Sequence, residues 1–217
     1  GAVYTDNQDD LNRVCADMSA EIADAALALT DISDDGLFVE VKAEYAKEMV
    51  TGFIQLDGVT VGAVANRTAI YDENGEKAEE FAAVLTTDGA YKAAEFVTFC
   101  NAFEIPVLSL TNVKGFEANV RAEKTIAKAA AKLVYAFSNA DVPKVNVITG
   151  EAYGSAYVAM NSKSVGADMV YAWSQASIGM MDASLAAKIM YADEIAAADD
   201  VTAKINEKAS EYAALQS

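Results

Sequence analysis

Histidine is absent from the 217 residues of this chain. Without an imidazole there is no Ser-His-Asp or Cys-His catalytic arrangement, no histidine-ligated metal and no histidine acid or base. Any chemistry must therefore depend on backbone N–H groups, carboxylates, a cofactor or a partner.

Cysteine, basic residues and long apolar runs are also scarce. Cys15 and Cys100 are isolated, with no CxxC pair, which indicates reduced thiols and argues against a zinc ribbon. The 16 basic against 33 acidic residues give a net charge of −17, which excludes nucleic-acid binding. No run approaches the roughly 18 uncharged apolar residues of a membrane span, and the N-terminus lacks a secretory signal pattern. We therefore expect a soluble, cytoplasmic protein without direct membrane insertion.

The residues that are present indicate one α/β domain. Hydrophobic residues make up 53% of the chain, enough for one sizeable core. Asp57-Gly58 is a strong hairpin signal, and strands alternate with helices as in a partly parallel sheet. The periodicity predicts a helix over 11–29, a strand over 38–41, a hairpin over 52–66, a loop with a short helix over 72–87, helices over 89–103 and 117–139, strands over 105–112, 144–149, 167–173 and 176–181, and helices to the end.

The stretch from Val142 to Trp173 is the most informative one. A buried-strand pattern, VPKVNVIT, is followed by a glycine turn, EAYGSAY, and by a helix of small residues. Unpaired N–H groups at such a helix start hold negative charge that develops on oxygen. The alternative is an ordinary tight turn between strand and helix. Both glycine loops, near Gly115 and Gly154, are expected at the same strand ends, where α/β sheets bind ligands.

Three segments resemble the C-terminal half of the carboxyltransferase of biotin-dependent acyl-CoA carboxylases and decarboxylases of the propionyl-CoA and methylmalonyl-CoA type. They are AEFVTFCNAFEIPVLSLTNVKGF, AKLVYAFSNADVPKVNVITGEAYGSAYVAMNSKSVGADMVYAW and ASIGMMDASLAAKIMY. The similarity extends over nearly all of 34–192. It implies a crotonase-like (ClpP/crotonase) fold of stacked sheets from repeated strand–loop–helix units with surrounding helices. We expect a single C-terminal carboxyltransferase domain over 1–217, with an entry helix over 1–33, a core over 34–192 and a truncated C-terminal helix over 193–217.

The resemblance also implies a reaction and its partners. Such carboxyltransferases move CO2 between carboxybiotin and an acyl-CoA, and this half supplies the biotin-side oxyanion hole. Biotin's own ureido group takes the α-proton in that family, which agrees with the absence of histidine. The implied partners are a CoA-binding N-terminal carboxyltransferase half, a biotin carrier protein and further copies in a homo-oligomer.

The family's YGGAY motif aligns with residues 153–157, YGSAY. This alignment implies that the N–H groups of Ser155 and Ala156 are the catalytic donors, and that Tyr153 and Gly154 form the biotin-side turn. Gly115 and Phe116 of the first loop are expected to line the opposite wall. Val158 stands where the acyl group passes nearby in the family, and its alternative is a core helix residue.

Two departures from the family leave a second function open. The family usually has PGF and then a proline-glycine pair, whereas Lys114 and the residues Glu117-Ala118-Asn119 stand here. This difference favours a non-catalytic crotonase-like scaffold module as the alternative. Glu151 and Glu117 flank the loops and could act as acid and base, or could be solvated. The cations Lys114, Arg121, Lys124, Lys128 and Lys132 are either a solvated stripe or an attraction for a carboxylated ligand.

Overall fold

A computed structural model describes residues 18–216, which form a mixed α/β structure. The strands are β1 (Val39–Val41), β2 (Met49–Leu56), β3 (Val59–Asn66), β4 (Ala69–Tyr71), β5 (Lys77–Glu80), β6 (Val107–Val113), β7 (Lys144–Tyr153), β8 (Met169–Ala172) and β9 (Ser177–Gly179). The helices are α1 (Ser19–Ala23), α2 (Ala25–Ile32), α3 (Thr87–Ala102), α4 (Val120–Asn139), α5 (Gly154–Ala159), α6 (Ala183–Met190), α7 (Ala192–Ala196) and α8 (Val201–Gln216).

The main sheet has the spatial order β1-β2-β3-β6-β7-β8. The pairs β1–β2 and β2–β3 are antiparallel, and the pairs β3–β6, β6–β7 and β7–β8 are parallel. Parallel neighbours need crossover connections, which α3 and α4 supply. The strand–loop–helix repeat predicted from the sequence is therefore confirmed, and β4 and β5 form a separate two-stranded sheet.

Apolar side chains cover both faces of the main sheet. One cluster joins β3 and β6 to α3, α4 and α5 around buried Val97, Leu133 and Phe137. The other joins α2 to β2, β3 and β6 around Leu29 and Ile54. Burial on both faces explains why the parallel strands carry almost continuous apolar runs.

A buried lysine fixes the end of α4 before β7 begins. Lys144 is only 5% exposed, and its Nζ donates to the carbonyl oxygens of Phe137, at 2.8 Å, and Ala140. Phe137 lies in the last turn of α4, where its carbonyl also accepts the N–H of the C-cap residue Ala140 at 3.3 Å, and the Ala140 carbonyl lies just beyond the helix.

Several predicted elements differ from the structure. The helix expected over 11–29 falls partly outside the described residues, and its described part is broken at Asp24 into α1 and α2. The loop with a short helix expected over 72–87 is wrong, because 69–80 form the β4–β5 hairpin. The helix expected from 117 begins at Val120, after the cap residue Asn119. The hairpin at Asp57-Gly58 is confirmed, with Leu56 paired to Val59.

The described residues divide into two compact units, with the boundary between Ser177 and Ile178. The second contains α6, α7 and α8, and within it Lys208 pairs with Glu194 at 3.3 Å. The single-domain boundaries at 33/34 and 192/193 stay predictions. None of the helices within 18–216 is long and apolar enough to cross a membrane.

Candidate active site

The two glycine loops lie at the same edge of the main sheet. Val113, at the end of β6, pairs in parallel with Ala152 of β7. Gly115 and Gly154 each follow two residues after these paired positions. The expectation that both loops meet at the carboxyl ends of neighbouring strands is therefore confirmed.

A buried asparagine connects the strands that carry the two loops. Thr111 pairs with Ile148 and Val113 with Ala152, so β7 bulges between these pairs. Asn112 lies opposite the bulge, and its Oδ1 accepts the N–H of Glu151 at 3.0 Å. The side chain can approach so closely because residue 150 is glycine: a Cβ there would lie 2.5 Å from Asn112 Oδ1.

The same asparagine also connects β6 to β3. Its backbone N–H donates to Asn66 Oδ1 at 3.0 Å, and Asn66 is the last residue of β3. Asn66 is 5% and Asn112 7% exposed. Sequence reasoning missed this pair, although an asparagine at each of two strand ends was a signal for contacts at the loop edge.

Backbone hydrogen bonds hold the first loop against residues 83–85. The N–H of Lys114 donates to the Ala83 carbonyl at 2.8 Å, and the Gly115 carbonyl accepts from the N–H of Leu85 at 2.9 Å. The N–H of Glu117 donates to the Leu85 carbonyl at 3.0 Å. The N–H groups of Gly115 and Phe116 take no part in this ladder, so they are donors that a ligand could use.

The second loop is a direct strand-to-helix junction. Instead of ending at 149 as predicted, β7 continues to Tyr153, and α5 begins at Gly154 with φ of 61°. A positive φ strains most residues and suits glycine. Tyr153 supplies no side-chain cap, so the N–H groups in the first turn of α5 have no intrahelical acceptor. Those of Ser155 and Ala156 are among them.

Side chains on α5 fix its orientation. Ala156 is 1% exposed and packs in the cluster below the sheet edge, whereas Ser155 is exposed. Tyr157 is partly buried, and burial raises the pKa of its phenol. Val158 is 37% exposed, so its interpretation as a core residue is wrong and its position beside a substrate stays a prediction.

A buried polar cluster holds the C-terminal end of α5. Asn161 Nδ2 donates to Ser109 Oγ at 3.0 Å and to the Val145 carbonyl at 3.3 Å. Asn146 Oδ1 accepts from the hydroxyls of Ser109 and Thr111, at 3.1 and 2.8 Å. All four side chains that form this cluster are fully buried. Asn146 and Asn161 were not singled out from the sequence.

The two candidate carboxylates lie beside the loops. Glu117 Oε1 accepts from Asn119 Nδ2 at 2.7 Å, and Asn119 caps α4 through the N–H of Ala122 at 2.7 Å. Glu151 is half-buried and is held through its N–H by Asn112. These contacts give both residues a local structural role.

A polar cavity of about 180 Å³ lies between the first loop and the N-termini of α3 and α4. Three carboxylates line it, Glu48, Asp88 and Glu117, and Arg121 is the one cation among its lining residues. This charge balance is unsuited to the phosphates of CoA. Within 18–216 no group of three histidine, cysteine or carboxylate side chains is arranged to hold a metal ion.

Comparison with known proteins identifies the family. A family profile described as carboxyl transferase domain matches residues 4–217. The chain belongs to the carboxyl transferase domain family.

Two curated relatives resemble the chain along most of its length. It is 40% identical over 205 residues, 94% of the chain, to the propionyl-CoA carboxylase carboxyltransferase subunit of Haloferax mediterranei. It is 42% identical over 185 residues, 85% of the chain, to the methylmalonyl-CoA carboxyltransferase 12S subunit of Propionibacterium freudenreichii subsp. shermanii. The chain spans only 38% and 33% of these proteins.

Solved structures support the crotonase-like carboxyltransferase fold. A transcarboxylase 12S crystal structure, a hexamer with methylmalonyl-coenzyme A bound, is 42% identical with a TM-score of 0.72, over 87% of this chain and 35% of that one. The geranyl-CoA carboxylase beta subunit of P. aeruginosa, at 24% identity, has the same fold with a TM-score of 0.70, over 84% of this chain and 33% of that one.

Proposed function

We propose that this chain is a carboxyltransferase half-domain that moves CO2 between carboxybiotin and an acyl-CoA, and that it supplies the biotin-side oxyanion hole. The observation that carries the proposal is that two glycine loops lie at one sheet edge. The N–H groups of Gly115 and Phe116 in the first loop, and of Ser155 and Ala156 in the second, are outside the hydrogen bonds that hold each loop. Family membership supports it.

The donor set fits a cofactor with a polarised carbonyl oxygen. The N–H groups of Ser155 and Ala156 are the donors that stabilise negative charge on that oxygen, and Gly154 allows the backbone to turn toward it. Gly115, Phe116 and Tyr153 line the space around the ring. Carboxybiotin, when bound, supplies the carboxyl group and a ureido nitrogen that takes the α-proton, so no side-chain base is required. Val158 is exposed, which leaves its side chain accessible to an acyl group.

CoA binding and delivery of the cofactor are supplied by partner proteins. The cavity beside the first loop is acidic, so the phosphates of the acyl-CoA require a second carboxyltransferase half that binds CoA. A biotin carrier protein delivers the cofactor. A transcarboxylase 12S relative forms a hexamer, and we propose that this chain also assembles into an oligomer.

The test is carboxyl transfer from carboxybiotin to propionyl-CoA, measured with the chain alone and after addition of a CoA-binding half. We expect no transfer by the chain alone and recovery in the mixture. In the mixture Ala156→Pro, which deletes one N–H in the first turn of α5, should lower transfer about 100- to 1,000-fold. Ala156 is the third residue of α5 and is buried, so circular dichroism and a melting curve of the variant verify that it folds.

Ser184→Pro is the matched control, since it places a proline in the first turn of α6, which belongs to the other compact unit. It should leave transfer unchanged. Unchanged transfer by a folded Ala156→Pro protein would show that the α5 turn is structural only. The second candidate, a non-catalytic scaffold module, is favoured by the altered first loop with its Glu117–Asn119 hydrogen bond. It predicts no transfer in any mixture.

A further inference from the structure

One face of α4 concentrates positive charge in a strongly acidic chain. Arg121, Lys124, Lys128 and Lys132 follow one another at spacings of three and four residues, so they lie on one side of the helix. All four are exposed. We name these four residues the α4 cation face. It extends over about 16 Å of helix and begins six residues after Gly115.

Within residues 18–216 the α4 cation face forms no direct ion pair, and Arg121 shares a cavity with three carboxylates, Glu48, Asp88 and Glu117. In the described part of the chain, none of its four residues has a carboxylate within ion-pair distance. Lys132 Nζ lies 5.3 Å from the centroid of the Tyr91 ring, and its charge adds to that of Lys42 in lowering the pKa of Glu95. Five other lysines of the described residues are paired with carboxylates, among them Lys42 with Glu95 at 2.6 Å and Lys47 with Glu79 at 2.8 Å. In a chain of net charge −17, an unpaired cation cluster attracts an acidic partner specifically.

Two exposed apolar residues stand at the ends of this face. Val120 is 75% and Tyr135 is 69% exposed. Tyr135 follows Lys132 by three residues, so it continues the same side of the helix. Tyrosine and arginine are enriched at protein interfaces, where the aromatic ring supplies contact area at a low entropy cost.

We propose that the α4 cation face docks an acidic surface of the carrier domain that brings biotin to the Gly115 and Gly154 loops. The proposal rests on the proposed function. The face starts at the loop edge, so a domain seated there holds its tethered cofactor close to both loops. A surface made mainly of separate charges, with two exposed apolar residues at its ends, suits a transient partner, which must bind and dissociate quickly, better than it suits a permanent subunit contact.

The test compares two charge-reversal variants of the full chain that change net charge equally. Arg121→Glu/Lys124→Glu/Lys128→Glu alters the face, and Lys77→Glu/Lys163→Glu/Lys188→Glu alters three exposed lysines elsewhere. The probes are a biotinylated carrier domain of net negative charge, free biocytin and CoA, each titrated by calorimetry at low salt. Circular dichroism and melting curves verify folding, and sedimentation gives the oligomeric state.

We expect the α4 variant to bind the carrier domain at least about tenfold more weakly, the control variant less than about threefold, and both to bind biocytin as the unaltered chain does. Carrier affinity of the unaltered chain should also fall as salt is raised, a measurement that needs no variant.

The other outcomes overturn the proposal in different ways. Equal weakening in both variants would show an effect of net charge alone, and unchanged carrier affinity in the α4 variant would show that the face is solvated. CoA binding by the unaltered chain that is lost in the α4 variant would instead indicate a phosphate site, and a changed oligomeric state would indicate a contact between copies. Biocytin binding without carrier binding would refute the docking proposal but not the proposed function. Failure to bind either biocytin or the carrier domain would refute both proposals.

Discussion

Gly150→Ala should destabilise the loop edge through a clash with one side chain. A Cβ at position 150 would lie 2.5 Å from Asn112 Oδ1 and 2.7 Å from its Cγ, closer than real Cβ atoms come to their neighbours. Asn112 must then move, and the hydrogen bond from Glu151 N–H to its Oδ1, 3.0 Å long, is broken. Because φ at Gly150 is not in the left-handed region, the backbone itself accepts alanine.

The expected cost follows from the overpacking and the lost hydrogen bond. Overpacking in a close-packed region costs about 1–3 kcal/mol. A buried donor left without its acceptor costs about 1–3 kcal/mol. A movement of Asn112 relieves part of the overpacking but breaks the hydrogen bond. We therefore expect the free energy of unfolding to fall by about 2–4 kcal/mol. Asn112→Ala alone should cost about 1–3 kcal/mol, because it removes the acceptor of Glu151 without a clash.

Urea unfolding followed by Trp173 fluorescence measures these values in the unit that contains both loops. Once Asn112 is alanine, the added Cβ meets no side-chain amide. Asn112→Ala/Gly150→Ala should therefore be about as stable as Asn112→Ala, so the coupling should equal the whole cost of Gly150→Ala, about 2–4 kcal/mol. Gly115→Ala is the matched control: its Cβ meets nothing within 4 Å, and a change within about 0.5 kcal/mol is expected. Strict additivity of the two single changes would refute the reasoning.

Three further predictions concern buried polar groups. The buried Arg67 guanidinium, 5% exposed, lies 2.9 Å from the Asp24 carboxylate, and Asp24→Leu removes this main partner. The free energy of unfolding, measured in urea, should fall by about 3–5 kcal/mol, and Asp24→Leu/Arg67→Met should recover it. Burial lowers the pKa of Lys92 to about 8, below the ordinary 10.5. Between pH 8 and 10.5 the lysine is therefore neutral in the folded protein and protonated in the unfolded chain, so unfolding takes up a proton. Stability should rise by up to about 3 kcal/mol from pH 8 to 10.5, and Lys92→Met should lack this rise. Burial raises the pKa of the Cys100 thiol to about 12, so iodoacetamide at pH 8 should leave Cys100 unmodified in the native protein, as read by peptide mass mapping; native labelling would contradict its burial.

The strand–loop–helix units could be predicted because their signals are local. An Asp-Gly pair between apolar runs gave the β2–β3 hairpin, and helical spacing of apolar residues gave α3 and α4. Since neighbouring parallel strands end at one edge, the meeting of the two glycine loops followed from these units without knowledge of any distance.

The break at Asp24 could not be predicted because distant residues cause it. Apolar spacing is continuous through this position, which favours one helix. Asp24 instead accepts from Arg67, at 2.9 Å, and from the N–H of Tyr71, at 3.1 Å, more than forty residues away. With these bonds the Asp24 carboxylate binds residues outside the helix, and Asp24 becomes the N-cap of α2, where its carboxylate accepts the Ala26 N–H at 3.2 Å.

The β4–β5 hairpin was missed although its turn has recognisable chemistry. Asp72 Oδ1 accepts from the N–H groups of Asn74 and Glu76, both at 2.9 Å, and Gly75 has φ of 77°. These are turn signals. The strand that follows, Lys77–Glu80, is exposed along its length and three of its four residues are charged, so it lacks the apolar alternation by which strands are recognised in a sequence.

The position of α5 depends on polar contacts more than on apolar packing. It has six residues, too few to be stable alone, and its fully buried side chains are the methyl groups of Ala156 and Ala159. Such small groups bury little area. Asn112 holds the strand before the helix through Glu151, and Asn161 holds the chain after it through Ser109. Burying an asparagine in a core costs stability unless its amide forms hydrogen bonds. Apolar residues on both sides of α5 would avoid this cost. The asparagines instead fix the position of the α5 N–H groups through directional hydrogen bonds.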